Sequence, residues 1–293
     1  MNHSETLDPL SSQANKVNPK HLVLDLLLAV GNNTLTARQA ISAAALFGIT
    51  ENSLRVTLAR LCAASLIEAS ERGAYRLGRA AISLAGDVAN WRTAEQRLRA
   101  WQGDYIVVHT AALARSERAA NRLRERALQM LGFRELLYGL HVRPNNLERD
   151  LGAVRERLHA LGLDRRAAVF LGSNFDSTLH RQLPLLWDSD ALNNGYQTGR
   201  AELLDWLERA EQLDVAHAAR ESFLLGGQAI RQIVYDPMLP EPLVDTARRH
   251  AFIETVQQFD AAGRIIWARF FETIAPTGIK TPRSPSALAQ AVC

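Results

Sequence analysis

Only two cysteines occur in this 293-residue chain, Cys62 and Cys293, so no disulfide framework holds the fold together. Lysine is almost as scarce. Lys16, Lys20 and Lys280 are the whole set, and arginine carries nearly all the positive charge, a bias that genomic base composition explains as well as function does. Long apolar runs are missing: Leu22–Val30 is short and interrupted by Asp25, and residues 1–18 are polar. Neither a membrane span nor a secretory leader is expected, and the chain reads as cytoplasmic. None of the eight histidines has a second histidine at i+4, and there is no Cys-x-x-Cys, so a zinc site has no local support. Nor is there a Gly-x-Gly-x-x-Gly, a phosphate-binding loop or a Gly-x-Ser-x-Gly. No cofactor or metal is expected, and the chain does not read as an enzyme.

What remains is ordinary in bulk, with 47% hydrophobic and 22% charged residues, enough for two or three domains. A net charge of +3 cannot by itself argue for a nucleic-acid partner, so the argument must rest on where the charge lies. Between Arg92 and Arg126, eight arginines face only Glu95, Asp104, Glu117 and Glu125.

The most informative stretch is 36–79. Thr36 with Gln39 three residues on spells a capping box, and Ala40, Ile41, Ala44, Ala45 and Phe47 make a small apolar helix that closes at Gly48. Thr50 caps a second helix. At ~100° per residue, Leu54, Leu58, Leu61 and Cys62 fall in one sector and face the core. Asn52, Ser53, Val56, Ala59, Arg60 and Ala63 fall opposite, with Arg55 on the flank. Asn and Arg pair with adenine and guanine edges, Val meets a thymine methyl, and alanines allow close approach, so this face suits a recognition helix. Leu66-Ile67, a turn at Glu71-Arg72-Gly73 and Ala74-Tyr75-Arg76-Leu77 form a hairpin whose Arg72, Arg76 and Arg79 would meet phosphates. The order is that of a winged helix-turn-helix, and double-stranded DNA is the partner it implies. The plainer alternative is a small helical domain with a solvated basic hairpin.

The remaining chain divides by pattern. Residues 1–18 form a polar tail, 19–84 the winged-helix domain with a helix from Lys20 to Val30, and 85–100 a connector that includes Trp91. Residues 101–183 alternate: a strand at Tyr105-Ile106-Val107-Val108, a helix from Glu117 to Leu131, a strand from Phe133 to Val142, a helix from Leu147 to Leu161 and a strand at Ala167–Leu171. This suggests a ferredoxin-like α/β sandwich with helices on one face. Residues 184–272 read as helical, with segments at Gly199–Leu213, Ala216–Leu225, Ala229–Tyr235 and Leu243–Phe271 and a break at Leu225-Gly226-Gly227. Residues 273–293 are a Pro-containing tail. The fold class is α+β.

Four stretches carry a resemblance. They are Phe47-Gly48-Ile49 with Leu54-Arg55 and Leu58-Ala59-Arg60-Leu61; Trp101-Gln102-Gly103-Asp104-Tyr105; Gly139-Leu140-His141-Val142-Arg143-Pro144-Asn145-Asn146; and Arg231 with Tyr235-Asp236-Pro237-Met238-Leu239-Pro240. In order and spacing the chain resembles the PaaX-like transcriptional regulators, the family of the repressor of phenylacetic acid degradation. The resemblance implies an N-terminal winged helix, a middle domain shaped like the small CRISPR-adaptation nuclease and a helical C-terminal domain. It also implies a homodimeric repressor of a catabolic operon, bound to a palindromic operator and released by a small-molecule effector, in its best-known members an aryl-CoA thioester. The tryptophan-containing turn that often follows the Asp-Pro-x-Leu-Pro run is absent from Leu243–Arg248, and Asn52, Ser53 and Val56 depart from the typical recognition-helix exterior.

The candidate DNA-contacting residues are therefore Thr50, Asn52, Ser53, Arg55, Val56, Arg60, Arg72 and Arg76. Arg143 and Arg231 are candidate effector contacts, with Arg248 and Arg249 as further phosphate ligands and Trp187, Trp206 and Trp267 as possible aromatic walls. Two other function classes stand beside the regulator: a metal-dependent nuclease in the middle domain, and a constitutive nucleic-acid-binding module without effector. The nuclease is disfavoured because the strand from Tyr105 to Ala111 holds no carboxylate and Asp104 lies before it.

Overall fold

The computed structural model describes residues 17–29, 34–70, 73–79, 81, 90–113 and 118–274. The tails expected at 1–18 and 273–293 fall almost wholly outside these residues, as does Arg72. Helices and two small antiparallel sheets make up what is described, so the chain is α+β.

Helix α1 (Pro19–Ala29) starts on proline, where the missing N–H is lost to no helical bond, and buries Leu22, Val23, Leu26 and Leu27. A short strand β1 (Thr34–Thr36) precedes α2 (Ala37–Ala45). The strand was not expected. Thr36 does both jobs, closing β1 and completing the capping box with Gln39 at 3.2 and 2.9 Å. Helix α2 ends at Ala45 and leaves through a turn in which Gly48 takes φ +68°. Helix α3 (Glu51–Ala63) opens on the Thr50 hydroxyl, which accepts from the Ser53 N–H at 3.3 Å. Strands β2 (Ile67–Ser70) and β3 (Ala74–Leu77) pair in register Ile67↔Leu77 to Ser70↔Ala74, and β1 joins the other side of β3.

Leu54, Leu58 and Leu61 of α3 meet the α1 leucines, Leu35 and Ile67 in one core. That core does not close on itself. Ala219, Trp267, Phe270 and Phe271, from the far end of the chain, complete it, and Phe47 stacks against Phe223 at 5.2 Å. After Ala81 a 3-10 segment, Asn90–Arg97, places Trp91 and Ala94 inside the C-terminal helical core.

The middle sheet contains β4 (Tyr105–His109), β5 (Arg134–Leu137), β6 (Leu140–Pro144) and β7 (Ala168–Gly172) in the order β5-β6-β4-β7, antiparallel throughout. Helices α4 (Arg118–Met130) and α5 (Leu151–Ala160) cover the Ile106 and Val108 face. The single strand expected over Phe133–Val142 is a hairpin. Tyr138-Gly139 turns it, and Gly139 takes φ +69° in contact with Ala111, where a side chain does not fit. The sheet's other face is not left to solvent either. Leu183, Trp187, Leu239, Leu243 and Val244 pack on Tyr105, Val107 and Val142.

After the short helix α6 (Ser177–Gln182) come three long ones: α7 (Ser189–Arg209), α8 (Val215–Val234) and α9 (Thr246–Ile274). Two expected helices, Ala216–Leu225 and Ala229–Tyr235, are one. The predicted break at Gly226-Gly227 lies inside α8, because Gly226 is buried where a Cβ would stand 3.3 Å from the Phe259 ring. Glycine there lets α8 and α9 approach closely, which outweighs its poor helix propensity.

Candidate functional site

The polar side of α3 is bare. Asn52, Ser53, Arg55, Val56, Ala59, Arg60 and Ala63 are all exposed, and Val56 keeps 43% of its surface in contact with solvent although the helix's other side is fully packed. The same three-four spacing that buries Leu54, Leu58 and Leu61 turns these residues outward. Thr50, also exposed, is occupied as the cap. Arg55 is held by Glu51 one turn back, with Nη2 at 2.6 Å and Nε at 2.8 Å from Oε1. On the hairpin, Arg76 meets Glu68 of the neighbouring strand at 3.0 Å. Both pairs lie in water, where such bridges are worth ~0–1 kcal/mol, so either arginine can exchange its carboxylate for a phosphate or a base edge at little cost. Arg60 and Arg79 have no ion-pair partner among the described residues.

Arg143 occupies a different setting. It is 1% exposed, and its guanidinium donates to the carbonyls of Leu131, Pro144 (3.1 Å) and Pro237 (3.4 Å) and to Asn146 Oδ1 (2.9 Å). Burial first, and then the nearby Arg97, pull its pKa down to about 9. Asn146 adds a bond to the Met238 carbonyl at 2.7 Å, so the Gly139–Asn146 and Tyr235–Pro240 stretches meet as one clamp between the middle sheet and the C-terminal helices. Asp236 accepts from Tyr196 at 2.6 Å and from the Met238 N–H at 2.7 Å, and burial drives its pKa up. Arg249, 3% exposed, donates to the Leu239 carbonyl at 2.6 Å and reaches Glu95 at 3.3 Å.

Arg231 is exposed on α8, one turn before the clamp, and does not join Arg143; Arg248 is exposed and pairs with Asp245 at 2.8 Å. The three tryptophans are core residues. Trp187 donates to the Gly132 carbonyl at 3.0 Å, Trp206 to Glu221 at 2.8 Å, and Trp267 packs under α2 and α3. Asp104 accepts from Asn145 Nδ2 at 2.6 Å. The register opposes His141 to Val108 rather than to His109, so the two imidazoles belong to opposite faces of the sheet.

A cavity opens beside Arg143. Trp91, Ala94 and Arg97 of the 3-10 segment, Leu147 and Arg157 beside the four-stranded sheet, Ile233 of α8 and Met238 beyond it surround a small cavity of about 30 Å³. Arg97 and Arg157 both hold Glu148, at 3.4 and 2.9 Å. Neither arginine was singled out from sequence. The only signal, and for Arg97 alone, was the arginine excess between Arg92 and Arg126, which says nothing of a shared cavity.

Compared with known proteins, residues 187–269 match the family model of the PaaX-like protein C-terminal domain. Over that stretch the chain is similar to PaaX-like proteins. The matched stretch holds α7, α8 and most of α9, with the Tyr235–Pro240 clamp between them. No curated protein matches the chain. Among solved structures, an uncharacterized protein, Rv0674 from Mycobacterium tuberculosis, aligns over 86% of this chain and 100% of its own with a TM-score of 0.56 and 22% identity, a likeness of fold. Among the described residues, no helix is long and apolar enough to cross a membrane.

Proposed function

We propose that this PaaX-like protein is a transcriptional repressor that binds a palindromic operator as a homodimer through a winged helix-turn-helix at residues 19–84. The observation that carries the reading is the bare α3 face, a strip of Asn52, Ser53, Arg55, Val56 and Arg60 on a helix whose other side is locked in the core. With α3 in the major groove, Asn52 and Arg55 reach base edges, and Arg60 with the hairpin residues Arg72 and Arg76 holds phosphates. Two copies place their α3 helices about 34 Å apart or a multiple of that distance. A small catabolic effector releases the DNA by favouring a dimer with another spacing, since a ligand shifts an equilibrium only by its differential affinity.

The test starts from sites selected out of random duplex DNA. Asn52→Ala and Arg55→Ala should each weaken the selected site by ~1–3 kcal/mol and relax preference at one base pair. Arg76→Ala should weaken all duplexes alike and lower the salt dependence by about one counterion. Unchanged affinity and preference in both α3 variants would remove this helix from the interface.

A further inference from the structure

Helix α4 turns a row of bare arginines to solvent. Arg118, Arg122 and Arg126 follow one another at every fourth position and are all exposed, while Ala127 and Leu128 on the helix's other side are buried against the middle sheet. From first to last the row measures about 12 Å. None of the three has an ion-pair or hydrogen-bond partner among the described residues. Elsewhere exposed arginines are often tied to an acid, as Arg55 is to Glu51, Arg76 to Glu68, Arg166 to Asp164 and Arg248 to Asp245. Glu125 is the one acid on α4, and it forms no ion pair with the row. Arg124, nearer the core, donates to Asn121. Four arginines against Glu125 give the helix a net charge of +3, equal to that of the whole chain.

Packing does not call for this charge. Like charges one turn apart destabilise a helix, and a cation in the first turn opposes the helix dipole, so the row works against α4 until a polyanion lies along it. A lipid surface is a poor match, because the apolar side of α4 is already committed to the core and Leu123 is its one large exposed apolar residue. Phosphodiesters suit it better. Guanidinium groups take phosphate oxygens in paired hydrogen bonds, and duplex DNA offers one charge per ~1.7 Å of axis, about seven over the length of the row. We infer that the α4 row is a second DNA contact, which holds the phosphate backbone of a duplex without reading its sequence. It belongs to the helix layer of the middle sheet rather than to the N-terminal helices, and it does not rest on the repressor reading above.

Fluorescence anisotropy of the full-length protein on a random-sequence duplex of about 30 base pairs, followed from about 50 to 200 mM salt, tests it. Arg122→Gln with Arg126→Gln removes two charges and leaves the buried side of α4 untouched. Each lost phosphate contact lowers the slope of log affinity against log salt by about 0.9, so the wild type should lose about tenfold more affinity than this variant across that range. Arg122→Lys with Arg126→Lys should keep the wild-type slope, which a variant that merely misfolds would not. Arg181→Gln with Arg200→Gln, exposed arginines of α6 and α7, takes the same charge from elsewhere and should leave the slope within about 0.5 of wild type. An unchanged slope in the α4 glutamine variant, an equal loss in the control, or no binding of the random duplex by the wild type overturns the contact. Binding to phosphatidylserine vesicles that this variant loses while its duplex slope stays unchanged overturns DNA as the partner. Sites selected from random DNA keep the two readings apart. Base preference altered by Asn52→Ala and Arg55→Ala, with the slope unchanged in the α4 variant, removes the row alone; a lowered slope with both α3 variants silent removes the α3 reading alone.

Discussion

Gly132→Ala should be strongly damaging where the four-stranded sheet meets the C-terminal helices. Gly132 is buried at the end of α4 with φ +72°, a conformation that costs a side-chain-bearing residue ~1–2 kcal/mol. Its added Cβ would stand 2.7 Å from both Cα and Cβ of Pro237 and 3.0 Å from the Pro237 carbonyl oxygen, which is backbone and cannot swing aside. Moving Pro237 disturbs the Arg143 bond to that carbonyl, the Asn146 bond to Met238 and the Trp187 bond to Gly132 itself. Overpacking of this kind costs ~1–3 kcal/mol and each of the three buried bonds, if lost, about 1 kcal/mol, so with the φ cost the whole loss is about 5–8 kcal/mol. Gly48→Ala is the matched control, with φ +68° and nothing within 4 Å of its Cβ, and should lose only ~1–2 kcal/mol. Urea titrations read by far-UV circular dichroism and tryptophan fluorescence measure both variants. Equal losses, within about 0.5 kcal/mol, would show that the Pro237 contact carries no energy and that the clamp is not a rigid joint.

Leu54→Ala empties a fully buried site shared by α1, α3 and the hairpin and should cost ~2–5 kcal/mol by chemical denaturation, and an unchanged midpoint would refute this packing. Asp236, its pKa raised by burial, contributes stability that is fully present below the unfolded value of about 3.9 and is lost as pH rises through its higher folded value. The stability of Asp236→Asn relative to wild type should therefore climb between mildly acidic and mildly alkaline pH, and a flat difference would refute the burial argument. His250 has its pKa raised by hydrogen bonding to Glu95 at 2.7 Å. Its contribution is complete below about pH 6.5 and fades as pH rises through the raised value, so His250→Gln should cost more at pH 6 than at pH 9, as paired urea curves would show.

Local chemistry was the part most legible in the sequence. The Thr36 and Thr50 caps, the outward face of α3 and the Ala74–Leu77 return strand each depend on residues a few positions apart, and periodicity reads such relations directly. What pattern missed was set by distant partners. Gly226-Gly227 looks like a break until Phe259, from the next helix, explains why a glycine must be there. Strand β1 exists because β3 offers it an edge, and three residues are too few to announce themselves by alternation. The hairpin at Tyr138-Gly139 was hidden by the apolar residues around it, which read as one strand. At the candidate site, Arg143 was visible as a residue, but its burial depended on Pro237, and the cavity it lines needed Arg97 and Arg157 from two other segments.

Helix α9 contains 29 residues, a rod of about 44 Å, with Phe252 among the clamp-side helices and Trp267, Phe270 and Phe271 seated beneath α2 and α3. A rod of that length magnifies small rotations: a tilt of about 5° at the clamp end carries Trp267 to Phe271, about 32–38 Å away, through about 3 Å. That displacement is close to the ~3.4 Å between stacked base pairs, so a small adjustment at the clamp has a mechanical path to the exposed α3 face, the surface proposed above to read DNA.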